Sequence, residues 1–76
     1  MSLTAEQRQA LELLAASPRG NTKGRLLADG FTADMLADLV REGFATAQRE
    51  TMRVGGRQIR VERYRITDAG RRAIEG

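Results

Sequence analysis

Six arginines, Arg49, Arg53, Arg57, Arg60, Arg63 and Arg65, recur at intervals of two to four residues through one stretch of a 76-residue chain. A guanidinium group is permanently charged and offers a planar fork of donors, so it suits bidentate contacts to phosphate or to a guanine edge. Only Glu50 and Glu62 interrupt this run with negative charge. The chemistry it supports is the capture of a polyanion rather than the making of bonds. Two plainer explanations stand beside that one. Coding bias enriches Arg equally well, and charge on a protruding hairpin also protects its edge and keeps it soluble.

Other reactive side chains are few. The chain has no Cys and no His, which removes disulfides, structural zinc and the commonest metal ligands together. Acid–base work would fall to carboxylates or to the single Tyr64, which the strand pattern places toward the core. Asp34 and Asp38 form an i, i+4 pair on one helical face, but paired carboxylates on an exposed helix are commonplace and nothing nearby builds a pocket around them. The expectation is a binding module, not an enzyme, with no cofactor and no metal. Without such staples, so short a chain must fold on one apolar core, which a partner chain could extend.

The charge is unevenly spread. Through Phe44, five basic residues face six acids; from Ala45 onward, eight Arg face four acids. The net values, −1 and +4, put the basic character in the C-terminal half. There is no apolar run of the roughly 20 residues that a membrane span requires. The opening residues Met1 to Gln7 lack the basic and apolar segments of a secretory leader. A cytoplasmic protein is expected, with no membrane partner and no room for an effector domain.

These residues need a scaffold, and its elements are legible. Thr4 with Gln7 reads as a capping box that opens a helix over about 5–16, with Leu3, Ala10, Leu11 and Leu14 on one side. Ser17-Pro18-Arg19-Gly20 stops it. Asn21 or Thr22 caps a short helix over about 22–29 that carries Leu26, Leu27 and Ala28. Gly30 suits the left-handed residue that closes it, Phe31 anchors the turn, and Thr32 caps a third helix over about 33–42 with Met35, Leu36, Leu39 and Val40 on one arc. Gly43 and Phe44 repeat the glycine–aromatic ending. The pattern then turns strand-like on both sides of Gly55-Gly56, a strong hairpin signal, giving strands over about 45–54 and 57–67. That turn pairs Val54 with Arg57, Met52 with Ile59, Arg49 with Glu62, Ala47 with Tyr64 and Ala45 with Ile66. Ala45, Ala47, Tyr64 and Ile66 then share the core face, and Gly70 permits a close approach to the hairpin or to the first helix by the last helix, about 68–75, which Thr67 caps. The class is α+β in a single domain over 1–76.

Two segments carry a family resemblance. Tyr64-Arg65-Ile66-Thr67-Asp68-Ala69-Gly70-Arg71-Arg72-Ala73-Ile74 is similar to the junction of the second wing strand and last helix in MarR- and PadR-type regulators: aromatic, any residue, aliphatic, Thr, two residues, Gly. Leu36, Leu39 and Val40 followed by Gly43-Phe44-Ala45 resemble the end of the recognition helix entering the wing. The resemblance covers about Thr4 to Ile74. It implies a winged helix-turn-helix and a DNA-binding domain of a transcriptional regulator, with the third helix in the major groove and the wing on flanking backbone.

The residues themselves leave two functions open. The third helix turns Asp34, Asp38, Arg41 and Glu42 outward, three acids and one base on the face that would approach phosphates. The helix is either a reader of bases through its carboxylates or an ordinary solvated surface. The wing is more favourable to double-stranded DNA. The expected contacts are therefore Arg49, Arg53, Arg57, Arg60, Arg63 and Arg65, joined by Arg41, Lys23 and Thr22. Thr22 and Lys23 also read simply as the capped start of a helix. Met52, Val54, Ile59 and Val61 cluster on the hairpin's second face near its tip, where the core cannot reach. Such a cluster marks a partner surface, often a second copy of the chain. The rival function is accordingly a winged helix used for protein contacts, with association through the wing and without specific DNA binding.

Overall fold

The computed structural model describes Leu3–Glu75. Of the leader reading over Met1 to Gln7, Met1 and Ser2 lie outside the described residues. The described residues form an α+β fold with four helices and a three-stranded antiparallel sheet, an order compatible with a winged helix. Along the chain come α1 (Ala5–Ala15), β1 (Asn21–Thr22), α2 (Lys23–Ala28), α3 (Ala33–Arg41), β2 (Ala45–Val54), β3 (Arg57–Ile66) and α4 (Asp68–Glu75). None of the helices among the described residues is long and apolar enough to cross a membrane.

Local chemistry fixes each helix start. The Thr4 hydroxyl accepts from the Gln7 amide at 3.0 Å while the Gln7 side chain accepts from the Thr4 amide, completing the capping box. Thr22 and Thr32 cap α2 and α3 through the amides of Arg25 and Met35. At the ends of α2 and α3, Gly30 and Gly43 adopt positive φ, and the aromatic residue after each donates its amide back into the helix, Phe31 to Leu26 and Phe44 to Leu39. Arg8 on α1 donates to the Ile74 carbonyl at 3.0 Å, satisfying a backbone acceptor that the end of α4 leaves open.

α1, α2 and α3 supply the leucines of one core. Leu11, Leu14, Leu26, Leu36 and Leu39 are fully buried, with Ala10, Ala45 and Tyr64 beside them. Each buried leucine contributes about 1.5–3 kcal/mol of transfer free energy, so these five dominate the core. Phe31, Met35, Val40, Phe44, Ile66 and Ile74 pack around the periphery. Ala47, expected in this core, is exposed. It lies on the correct face, but β2 is an edge strand, and at that height its larger neighbour Tyr64 on β3 takes the space under the helices.

The sheet order is β1-β3-β2. β2 and β3 pair over ten residues each in the register that the Gly55-Gly56 turn dictates, from Ala45 opposite Ile66 to Val54 opposite Arg57. β1 was not expected. Asn21 and Thr22 pair with Tyr64 and Arg63, filling the open edge of β3 at its base. Two features let the chain come so close there. Gly20 has φ +79°, and a Cβ at that position would collide with the Tyr64 carbonyl. Beyond this rung the hairpin leaves the helical body as a free arm. The molecule measures 45 × 21 × 20 Å, and its radius of gyration of 12.7 Å exceeds the roughly 11 Å of a compact chain of this length.

Candidate functional site

The arm has two chemically distinct faces, and the register assigns every residue to one. Directly opposite residues share a face and successive residues alternate. The face continuous with the core carries, outward from Tyr64 and Ala47, the residues Arg49, Thr51, Arg53, Gln58, Arg60 and Glu62. The outer face carries Thr46, Gln48, Glu50, Met52, Val54, Arg57, Ile59, Val61, Arg63 and Arg65. The six arginines are thus divided three and three.

Their circumstances differ. Arg49, Arg53, Arg57, Arg60 and Arg65 are exposed and, among the described residues, form no ion pair. Arg63 is held. Its Nε lies 3.0 Å from Glu50 Oε2, its side chain is only 20% exposed, and it also donates to the Arg19 carbonyl at 3.5 Å. Its charge is spent on fastening the base of the arm to the loop before β1. The same register, read from the turn outward, places Glu50 and Arg63 on one face as diagonal neighbours, which is the signal that reveals this pair.

On α3, Asp34 and Arg41 are exposed and Asp38 is half-buried. Arg41 pairs with Asp38 one turn earlier, so the positive charge expected on this helix is already met by a neighbour. Asp34 and Glu42 form no ion pair among the described residues. At the start of α2 the Thr22 hydroxyl is occupied by the Arg25 amide and Lys23 is half-buried. The structure therefore brings the six arginines of the hairpin onto one arm, divided between its two faces, places Thr22 beside Arg63 at the base of that arm, and leaves Arg41 on α3 and Lys23 at the start of α2.

At the boundary between body and arm the Tyr64 hydroxyl donates to Glu62 Oε2 at 3.2 Å. Burial raises the Tyr64 pKa above its ordinary 10.0, and the Glu62 carboxylate adds to the rise through its charge and its hydrogen bond. Tyr64 is the last buried residue of β3 before the arm.

The apolar cluster lies where the sequence pattern places it. Met52 is 38% exposed, Ile59 43% and Val54 54%, with Val61 half-buried. A groove or pocket between these residues and the body is not formed among the described residues. The site is a surface strip. No family model, no curated protein and no solved structure matches this chain.

Proposed function

We propose that this chain is a winged helix-turn-helix domain of the MarR/PadR type. In this reading it is a small cytoplasmic binding module, not an enzyme, that holds double-stranded DNA chiefly through its arm. The order of three helices, hairpin and closing helix supports the fold assignment. One observation carries the function: Arg49, Arg53 and Arg60, exposed and without an ion pair among the described residues, lie along one face of a protruding arm with Glu62 as the acid on that face. A two-stranded ribbon of this kind can lie along or across a groove and reach phosphates on both sides. The acids of α3 oppose strong base readout by that helix, so binding is carried by phosphate contacts and is steep in salt.

The test is a titration of mixed-sequence duplex at several salt concentrations. For Z phosphates neutralised, log K falls against log salt with a slope of about −0.9Z. Replacing Arg53 and Arg60 by Ala should flatten the slope by up to about two units and weaken all sequences alike. Asp34→Ala should strengthen binding by removing repulsion. Loss of binding to one particular sequence on Asp34→Ala would instead make α3 a reader of bases. Absence of binding by the unaltered chain at about 50 mM salt, where screening is weakest, would end the DNA reading. The second reading, a winged helix used for protein contacts, then leads. It is favoured by α3, whose one arginine is tied to Asp38 while Asp34 and Glu42 stay free of ion pairs among the described residues.

A further inference from the structure

We propose that the face of the arm continuous with the core lies in the major groove of duplex DNA, where Gln58 and Thr51 read base edges. The inference rests on the DNA reading above and deepens it, adding a source of sequence preference to the phosphate contacts.

Beyond Ala47 this face is made of hydrogen-bonding side chains alone. Its rungs are Arg49 with Glu62, Thr51 with Arg60, and Arg53 with Gln58. The outer face at the same height carries Met52 opposite Ile59 and Val61 opposite Glu50, and apolar side chains find little in the major groove beyond thymine methyls. Each rung of the core-side face holds one arginine, and the arginines change strand from rung to rung: Arg49 on β2, Arg60 on β3, Arg53 on β2. Each strand thus offers a guanidinium to one phosphate wall of a groove. Glu62, the acid of this face, is engaged at the body end by the Tyr64 hydroxyl at 3.2 Å.

Thr51 and Gln58 remain between the arginines. Both are exposed, uncharged and, among the described residues, without a side-chain hydrogen bond. The Gln58 amide sets a donor and an acceptor side by side, the pattern that matches N7 and the N6 amino group of adenine. A phosphate oxygen only accepts, so it would leave the Gln58 carbonyl without a partner. The Thr51 hydroxyl donates or accepts, and its methyl group fits against the methyl of thymine.

Dimensions select the groove. The major groove, about 12 Å wide, admits a two-stranded ribbon, whereas the undeformed minor groove, about 6 Å wide, is too narrow for one. Same-face rungs recur about every 6.8 Å, twice the rise of an antiparallel strand and close to two base-pair steps of about 3.4 Å. A ribbon laid along the groove therefore presents one rung to about every second base pair. The arrangement exchanges the parts that the family resemblance assigns, since the arm and not the third helix takes the groove. Charge favours the exchange: α3 would bring Asp34 and Glu42 between two phosphate walls, with its Arg41 already tied to Asp38.

The test selects preferred sequences from a mixed-sequence duplex library with the full chain at low salt, then compares variants on the selected duplex and on the unselected pool. The unaltered chain should prefer a site containing adenine. Gln58→Ala should reduce that preference by about five- to hundredfold at one position, and Thr51→Ala should reduce it less at a neighbouring one. Neither should change the salt slope, because neither removes a charge. Both positions are exposed, so thermal unfolding should be unaltered. Replacing the contacted adenine by 7-deazaadenine, which alters only the major-groove edge, should reproduce the loss with the unaltered chain and add nothing with Gln58→Ala. Hypoxanthine in place of guanine, which alters only the minor-groove edge, should have no effect. Val54→Ser with Ile59→Ser, on the outer face, should keep the preference. Binding without any sequence preference overturns the proposal and leaves the phosphate reading standing. So does a preference that survives Gln58→Ala and Thr51→Ala, or one that answers to hypoxanthine and not to 7-deazaadenine. Absence of all binding at low salt removes the DNA reading as well, so the two failures are distinct.

Discussion

The helical body and the arm are built from one chain by different forces. In the body, five leucines reach full burial and every helix start is capped by a threonine or continued directly from a strand. Position is set there by burial, and the outward residues are incidental to it. In the arm beyond Tyr64 only Glu50, Val61, Glu62 and Arg63 are even half-buried, and position is set by cross-strand pairing and a two-glycine turn. The lesson is that the two regions answer different questions. The body explains why the molecule folds, whereas the arm, relieved of packing duties, is free to carry the charges and apolar residues that suggest what it meets.

That contrast can be broken by experiment, beginning in the core. Leu39→Ala should cost about 2–5 kcal/mol, enough to unfold so small a domain near ambient temperature, as seen by circular dichroism during urea titration. A cooperative transition with little change in midpoint would mean that the core is not organised around α3. The next effect is a reversal of sign. Gly to Ala within a helix ordinarily stabilises by about 1 kcal/mol. At Gly70 of α4, however, the added Cβ would run into the Phe44 carbonyl and the Ile66 side chain. Gly70→Ala should therefore destabilise by about 1–3 kcal/mol in the same titration, and stabilisation would show that α4 sits further from the base of the arm.

The smallest effect lies at the boundary. The folded Tyr64 hydroxyl holds its proton more tightly than the unfolded one, because burial and then Glu62 raise its pKa above 10.0. Its contribution is thus complete below pH 10 and is lost as pH rises from there through the folded value. Tyr64→Phe should cost about 0.5–1.5 kcal/mol at neutral pH through the lost hydrogen bond. It should also remove the part of the alkaline fall in stability that belongs to this residue. An unchanged pH profile would show that Tyr64 is as solvated as the arm.

Much of this was legible because local chemistry and tertiary structure agree. Thr4 with Gln7, Gly30 with Phe31 and Gly43 with Phe44 each specify a boundary by themselves, and Gly55-Gly56 fixes a whole register, since a slip by one residue would move Tyr64 and Ile66 off the core face. β1 was not legible. Two polar residues carry no periodicity, and both Asn21 and Thr22 serve equally well as helix caps. Only the approach of Gly20 to Tyr64, a long-range event, makes them a strand. Ala47 was misplaced because alternation gives the face of a residue but not the extent of the layer covering it. Within the candidate site, the cluster of arginines was visible in their spacing. The withdrawal of Arg63 into its pair with Glu50, and of Arg41 into its pair with Asp38, depends on side-chain rotamers that spacing does not specify.

Thr67 joins both ends of the arm to the body at one point. Its amide donates to the Phe44 carbonyl at 3.0 Å, and its hydroxyl donates to the Gly43 carbonyl at 2.6 Å while accepting from the Gly70 amide at 3.0 Å. One residue thereby ties the exit of α3, the root of both long strands and the first turn of α4. In mechanical language it is a fulcrum. From that rung to the turn the arm extends about 30 Å, at about 3.3 Å per residue. A tilt of about 5° at Thr67 displaces the tip by about 2.6 Å on that length. Conversely, a load on the tip is delivered with the same leverage to the junction of α3 and α4. Whatever grips the end of this hairpin therefore pulls directly on the third helix.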